Sequence, residues 1–301
     1  MFAINTKGLL AAVLTLTLSS AALADSSIAA EAAPSGQAST TSIGSMIASK
    51  AKASYFMEFF GMNGKAIDGQ EGGGSDLTIN HYGSVGWKLS NKWTVKATQA
   101  MQQRIRKKVE GQDDFIMTDP YFTFSNSKIA SSDKYGTNLA GYVRYYAPFS
   151  RATNQNVGTA NDQGNGAIRL LVAPSKTFMD GALTISCPSF IQYRLNKSTA
   201  QERSALNNGD SSRIDYRAFI NPIVAYSLSA KTEAYLEFGT NYINHSTKGT
   251  WSNIQDVAYI SPGLNLSPAK KVLVNPYVAW DVSAIQLNKA SIGVNAQYTF
   301  L

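Results

Sequence analysis

Close to its C-terminal end the chain alternates without interruption. Ile292, Val294, Ala296, Tyr298 and Phe300 are apolar, whereas Ser291, Gly293, Asn295, Gln297 and Thr299 are small or polar. A period of two residues places each set on its own face of a β-strand, so one face meets an apolar medium and the other a polar one. A half-buried strand of a soluble sheet meets that demand, and so does a strand with hydrocarbon on one side. The remainder of the chain has to choose between them.

From residue 53 onward the same alternation recurs in segments of about ten residues, the length of a tilted strand that crosses a bilayer. Strands are predicted at 53–61, 77–89, 93–101, 116–125, 139–147, 167–175, 183–195, 214–228, 232–242, 257–266, 272–282 and 291–301. Connectors 90–92, 176–181, 229–231 and 267–271 are short, whereas 63–75, 104–114, 150–165, 196–213 and 244–252 are mostly longer and more polar. Short turns at one end and long loops at the other are the arrangement of a membrane barrel, and an even strand count puts both termini at the short-turn end. Stretch 126–137 breaks this rule, being long where a short turn is due, so the count of twelve has an alternative one pair away. Six prolines (Pro120, Pro174, Pro188, Pro222, Pro262 and Pro276) also fall inside predicted strands, where a residue without an N–H weakens the ladder. All but Pro188 share the parity of the apolar face. Trp87, Trp93, Tyr226, Trp280, Tyr298 and Phe300 are placed to form aromatic girdles at the two interfaces.

The front of the chain reads as a secretory signal over residues 1–24: Lys7, an apolar run from Gly8 to Leu18, and Ala22-Leu23-Ala24 as a small-x-small cleavage site. Its removal takes away Lys7 and no acid, so the net charge falls from +7 to +6. That excess is spread along the chain, with no basic block of the kind that binds nucleic acid. Residues 25–52 are rich in Ala, Ser, Thr and Gly and read as a flexible periplasmic lead-in. The spacing of Ile43, Met46, Ile47 and Ala51 allows a short helix there. Cys187 is the only cysteine, so no internal disulfide forms. Beyond the signal no apolar run reaches helix-spanning length, and an integral membrane chain must then be a closed barrel, since only helices and closed barrels pair every backbone group in lipid.

The terminal alternation, with its aromatics, resembles the closing strand of Gram-negative outer-membrane β-barrel proteins, although Leu301 follows Phe300 where such strands usually stop at the aromatic. The resemblance implies an all-β transmembrane up-and-down barrel over 53–301. It also implies an integral place in the cell outer membrane, with contact to its lipid and lipopolysaccharide. The barrel-assembly machinery would read the C-terminal strand, and the activity would be a porin-like passage for small polar solutes.

If the apolar parity faces lipid, the opposite parity lines the interior. Lys96, Arg144, Arg169, Arg194 and Arg217 form a basic wall on the third to eighth strands; Glu58, Glu233, Glu237 and Asp281 form an acidic wall on the ninth to first. Asp119 and Asp215 sit among the basic strands, and Thr94, Thr98, Gln192, Asn221, Asn275, Asn295 and Gln297 fill the remainder. Two readings stay open. Water fills the lumen and the opposed charges set up a field that filters polar solutes, or the charges pair and close a narrow interior. Twelve strands lie between small filled barrels and water-filled ones, so the number does not choose. The arginine row resembles in kind the lumen of small twelve-stranded channels for acidic sugars, in architecture only.

Catalysis has its own test. Outer-membrane phospholipase A places a serine two residues after a histidine and an asparagine beside it. In His245-Ser246-Thr247-Lys248-Gly249 the serine is at the wrong offset, and in His81-Tyr82-Gly83-Ser84 it points to the opposite face of the strand. One cysteine and two distant histidines supply no metal-ligand spacing. Gly72-Gly73-Gly74 lacks the strand-to-helix setting of a phosphate loop. No enzyme, metal or cofactor is expected. The alternative to a channel is a closed barrel that acts through external loops 150–165 and 196–213.

Overall fold

The computed structural model describes residues 50–63, 78–104, 115–150, 164–197, 214–245, 250–253, 258–282, 285–286 and 290–300. Among them, sixteen strand segments join in one sheet that closes on itself, with every pairing antiparallel. Three staves are each split in two at a proline, and one short segment extends a hairpin, which leaves a barrel of twelve staves.

In chain order these are β1 (Ala51–Asn63), β2 (Thr78–Lys88), β3 (Trp93–Arg104), β4 (Phe115–Met117 and Tyr121–Ser132), β5 (Thr137–Tyr146) and β6 (Ala167–Phe178). They continue as β7 (Leu183–Ser186 and Ser189–Arg194), β8 (Ile214–Ile220 and Ile223–Ser229), β9 (Thr232–His245), β10 (Tyr259–Ala269), β11 (Val272–Asp281) and β12 (Ser291–Thr299). Thr250–Asn253 folds back on the end of β9. The seam pairs β1 with β12 from Ser54↔Thr299 to Asn63↔Ser291, with one irregularity between Phe60 and Met62. With that seam closed no stave is left with a raw edge, the condition for a sheet in hydrocarbon.

Tight connections between β2 and β3, β4 and β5, β6 and β7, β8 and β9, and β10 and β11 all lie at one end, together with the start of β1 and the end of β12. The expected alternation of connectors is thus present. Stretch 126–137 is the correction. It is mostly strand: β4 runs on to Ser132 past an irregularity between Asn126 and Ala130, then turns through Asp133–Tyr135 and Gly136. Gly136 takes φ 61°, and a Cβ there would collide with Thr177, so this turn requires glycine. The count of twelve stands.

The prolines divide into two kinds. Pro120, Pro188 and Pro222 lie at the breaks within β4, β7 and β8, while Pro174, Pro262 and Pro276 sit in continuous strands. Pro188 is buried inside, as its parity requires; Pro174, Pro222 and Pro262 are exposed outside. Only Pro120 shifts the register: β3 and β4 pair at Thr98↔Tyr121 and again at Met101↔Met117, so three residues face two. Gln99, on the outer wall, donates from Nε2 to the Thr118 carbonyl at 2.8 Å and to the Ala100 carbonyl at 2.9 Å, so the bulge is bridged by a side chain. Three of them still serve as acceptors: the carbonyls of Pro120, Pro174 and Pro222 take the N–H of Ala147, Cys187 and Phe238.

The outer wall carries Val85, Val143, Leu170, Val172, Ile191, Val224 and Phe238, apolar and exposed, with Val85 at 65 %. The buried cluster lies inside the ring, where Tyr142, Leu171, Phe190, Phe219 and Tyr259 meet. An apolar exterior around a polar interior inverts the soluble plan. Residues 1–49 lie outside the described residues. So do the expected signal, all but the end of segment 25–52, the Gly72–Gly74 run and most of loops 150–165 and 196–213. β1 begins at Ala51, two residues earlier than the sequence suggested.

Candidate functional site

Inward and outward positions follow from the pleat, and all nine charged residues assigned to the lumen face it. Arg144 and Arg169 have no exposed surface, Arg194 and Arg217 are 6 % exposed, Glu58 1 % and Glu237 3 %. Lys96, Glu233 and Asp281 are half-buried.

The pairing register joins the basic residues into a row. Lys96 on β3 is opposite Thr123 on β4, Thr123 opposite Arg144 on β5, and Arg144 opposite Arg169 on β6. Arg169 is opposite Gln192 on β7, and Gln192 opposite Arg217 on β8. Arg194 stands one pleat away, opposite Ala167. The guanidinium groups of Arg144 and Arg169 donate to neutral side chains. Arg144 Nε donates to Thr123 Oγ1 at 3.0 Å and its Nη1 to the Tyr146 hydroxyl at 3.2 Å. Arg169 donates from Nε and Nη2 to Gln192 Oε1 at 3.0 and 2.7 Å. Aromatic faces complete the packing: Arg144 lies 4.2 Å from the Tyr121 ring centre and 4.5 Å from that of Tyr142, and Arg169 4.0 Å from that of Phe190. Among the described residues no carboxylate pairs with Arg169 or Arg217, and Arg169 Nη1 and Arg217 Nε are buried without an acceptor.

The opposite wall is a ladder of amides with acids set into it. Gln102, Asn80, Glu58 and Asn295 are successive register partners on β3, β2, β1 and β12; Asn275 on β11 follows. Gln102 Nε2 donates to Asn80 Oδ1 at 3.4 Å, and Asn80 Nδ2 to Glu58 Oε2 at 3.1 Å. Asn275 donates to Asn265 on β10, whose Nδ2 donates to Glu233 Oε1 on β9 at 2.6 Å. Glu237 accepts from the Tyr259 hydroxyl. Each of these three acids is therefore satisfied by an amide or a phenol. Two carboxylates, Asp119 and the buried Asp215, stand on the basic side, where Asp215 accepts from Asn196 Nδ2 at 2.9 Å and Asp119 from the Ser150 N–H at 2.6 Å; the expected alternative of cross-lumen pairing does not describe Arg169, Arg217, Glu58 or Glu237.

Tyrosines that sequence parity alone did not single out shape the same wall. Tyr235 on β9 is opposite Gly263 on β10, Gly263 opposite Tyr277 on β11, and Tyr277 opposite Gly293 on β12. Tyr259 is opposite Gly239. A Cβ on Gly239, Gly263 or Gly293 would run into the ring of Tyr259, Tyr235 or Tyr277 respectively, so each ring lies flat over its glycine. The available signal was a tyrosine and a glycine of inward parity on adjacent strands. Tyr82 on β2, of inward parity, packs at a tilt on Phe56 of β1, with ring centres 5.4 Å apart. At this level the interior is packed: Thr123, Arg144, Arg169, Phe219, Asn221, Asn241 and Glu58 are each less than 2 % exposed.

The aromatics assigned to girdles all lie on the outer wall. Trp87, Trp93, Tyr226, Tyr298 and Phe300 are near the short-turn end, and Trp280 is near the other, its Nε1 donating to the Gln286 carbonyl at 3.1 Å. Tyr145, Tyr193 and Tyr216, exposed at that far end, were not among those named from the sequence. His81 faces outward, with Nδ1 2.5 Å from the Tyr55 hydroxyl and Nε2 3.2 Å from Gln103 Oε1. Ser84 faces inward and bonds Thr98 at 2.8 Å, so the structure keeps these two apart. His245, expected on a loop, ends β9, and its side chain lies outside the described residues.

No family model matches this chain, and no curated protein does. Among solved structures, an outer-membrane channel from Pseudomonas putida F1 is 11 % identical at a TM-score of 0.48, covering 90 % of this chain and all of that one. The NanC porin is 8 % identical at 0.49, covering 82 % and 98 %. The KdgM porin is 7 % identical at 0.44, covering 83 % and 99 %.

Proposed function

We propose that this barrel is integral to the outer membrane and acts as a porin-like channel, passing small hydrophilic solutes or ions between its basic and acidic walls. The observation that carries the reading is the pair Arg169 and Arg217, buried inside the ring with nitrogen atoms lacking acceptors and with no described carboxylate as counter-ion. Burying an unpaired charge costs several kcal/mol, roughly, which a barrel serving only as a scaffold has no reason to bear. A passage that recruits solute does. The exposed apolar belt between two aromatic ends supports the location. Export through the signal at 1–24, contact with lipopolysaccharide and recognition of β12 by the assembly machinery belong to the same reading.

Purified protein in a planar bilayer is expected to give ohmic steps, smaller than those of a wide porin because the midsection is narrowed by side chains. Silence at every applied voltage, from protein that runs as a folded barrel on an unheated gel, would count against a channel. The second reading, a closed barrel, draws on the zero exposure of Arg144 and Arg169, and that silence is its signature. Membrane placement has a separate check. Val172, 43 % exposed in the middle of β6, should tolerate arginine poorly. The Val172→Arg change is expected to cost about 2–4 kcal/mol in reversible unfolding from vesicles. A cost near zero would remove hydrocarbon from that face.

A further inference from the structure

Lysines that lie scattered along the sequence gather at one end of the fold. Each of the five tight turns carries one, in the turn or on the last three residues of the strand that enters it: Lys92, Lys134, Lys176, Lys231, and the pair Lys270 and Lys271. All six are exposed, and the start of β1 adds Lys50 and Lys52 at the same end. Against them the turns set two exposed acids, Asp133 and Asp180. Among the described residues no carboxylate pairs with any of the six. The cations therefore form a ring around the whole circumference, and their charge is left for something outside the chain.

Their height on the wall says what that is. Lys134 Nζ lies 5.3 Å from the Tyr135 ring centre, and Lys176 Nζ lies 4.9 Å from that of the exposed Phe178. Lys271 Nζ donates to the Phe300 carbonyl at 2.8 Å. Trp87, Trp93 and Tyr226 belong to the same end. Aromatics of this kind settle among lipid headgroups, and lysines packed against them hold their ammonium groups at that level. One place is built more fully. The Gly136 carbonyl accepts the Thr177 N–H at 2.8 Å, which brings the turn of Lys134 against the strand that carries Lys176. Ala130, Leu139 and Pro174 are register partners one pleat farther from the turn, and with Ile185 they line an apolar hollow that reaches Lys176.

We propose that the short-turn end is a collar for anionic phospholipids, with the phosphate of one lipid held at Lys134 and Lys176 and its acyl chain lying in the hollow beside them. Cations at this level gain from each negative headgroup that replaces a neutral one. An acidic polymer beneath the membrane would meet the tips of the turns; Lys176, on the outer wall beside an apolar hollow, fits a lipid instead. The proposal rests on the membrane placement above and is independent of conduction.

The test is quenching of tryptophan fluorescence in vesicles that mix phosphatidylglycerol with phosphatidylcholine, the chains of one or the other being brominated. Trp87 and Trp93 report the lipids at the end in question. In low salt the native barrel should prefer phosphatidylglycerol by about threefold. That preference should fall toward one in about 1 M salt, where charges are screened within a few ångströms. The double variant Lys134→Gln, Lys176→Gln should lose about half of it. A native ratio of one in low salt overturns the collar and leaves the lysines to an acidic polymer. A full preference in the double variant overturns the seat at Lys134 and Lys176. If brominated phosphatidylcholine alone fails to quench, the barrel is not in the bilayer, and the membrane placement itself falls. The salt comparison uses only native protein, so it decides even where the double variant fails to fold.

Discussion

Replacing Arg169 and Arg217 together by glutamine is expected to move the reversal potential in a salt gradient toward cations, with a change in the anion-to-cation permeability ratio of about tenfold. The reasoning begins with the row that the register builds. Arg144, Arg169 and Arg217, with Gln192 among them, form one row of register partners on four neighbouring staves, so their charges add along one stretch of the lumen wall. Glutamine keeps a hydrogen-bonding end near Gln192 and removes the charge. A second readout separates selectivity from scaffolding. No described carboxylate pairs with either arginine, so the exchange strands no buried anion and relieves two charges that are costly to bury. The double variant should therefore resist urea as well as the native barrel or better. Unchanged reversal potentials would retire the basic wall as a filter, and a sharp loss of stability would make these arginines structural.

The second large effect concerns the tyrosines that lie over glycines. Valine at Gly293 is expected to reduce conductance severely while the barrel still assembles. A Cβ at that position collides with the Tyr277 ring, which has Gly263 and Gly293 as its two register neighbours. Displaced from the wall, the ring has only the lumen to enter. The displacement itself costs about 1–3 kcal/mol, the ordinary penalty of overpacking, which a barrel closed by twelve staves should survive. Tyr277→Ala alone should raise conductance. Combining it with Gly293→Val should restore a passage, because the second change removes the group that the first displaced. A Gly293→Val channel with native conductance would show that the ring finds room elsewhere, and the flat-ring account would be wrong.

How far these features were legible in the sequence follows from which interactions are local. The side of each residue is local: parity alone put Arg144, Arg169, Glu58 and Glu237 inside and Val85 and Leu170 outside. Connector lengths are local too, and they gave the sidedness of the barrel. Register is not local. Nothing in the neighbourhood of Asn80 says that it faces Glu58 rather than Ser54, so the amide ladder could be listed as lumen filling but not assembled. The tyrosine–glycine pairs were hidden for the same reason. Stretch 126–137 misled because its polar residues suit a loop, whereas the end of β4 lies where strand residues are exposed; Lys128, Ile129 and Ala130 all are. Pro120 was seen, but its shift of register depends on Gln99 from the next stave.

The seam between β1 and β12 has a consequence in time. Its partners stand at opposite extremes of the folded sequence, so every other stave is made before the ring can shut. Until the final strand emerges, the nascent ribbon carries two sticky margins that invite aggregation, and long-range joining of this kind is slow. The last strand thus works as a latch: until it pairs with the first, both margins of the ribbon stay open.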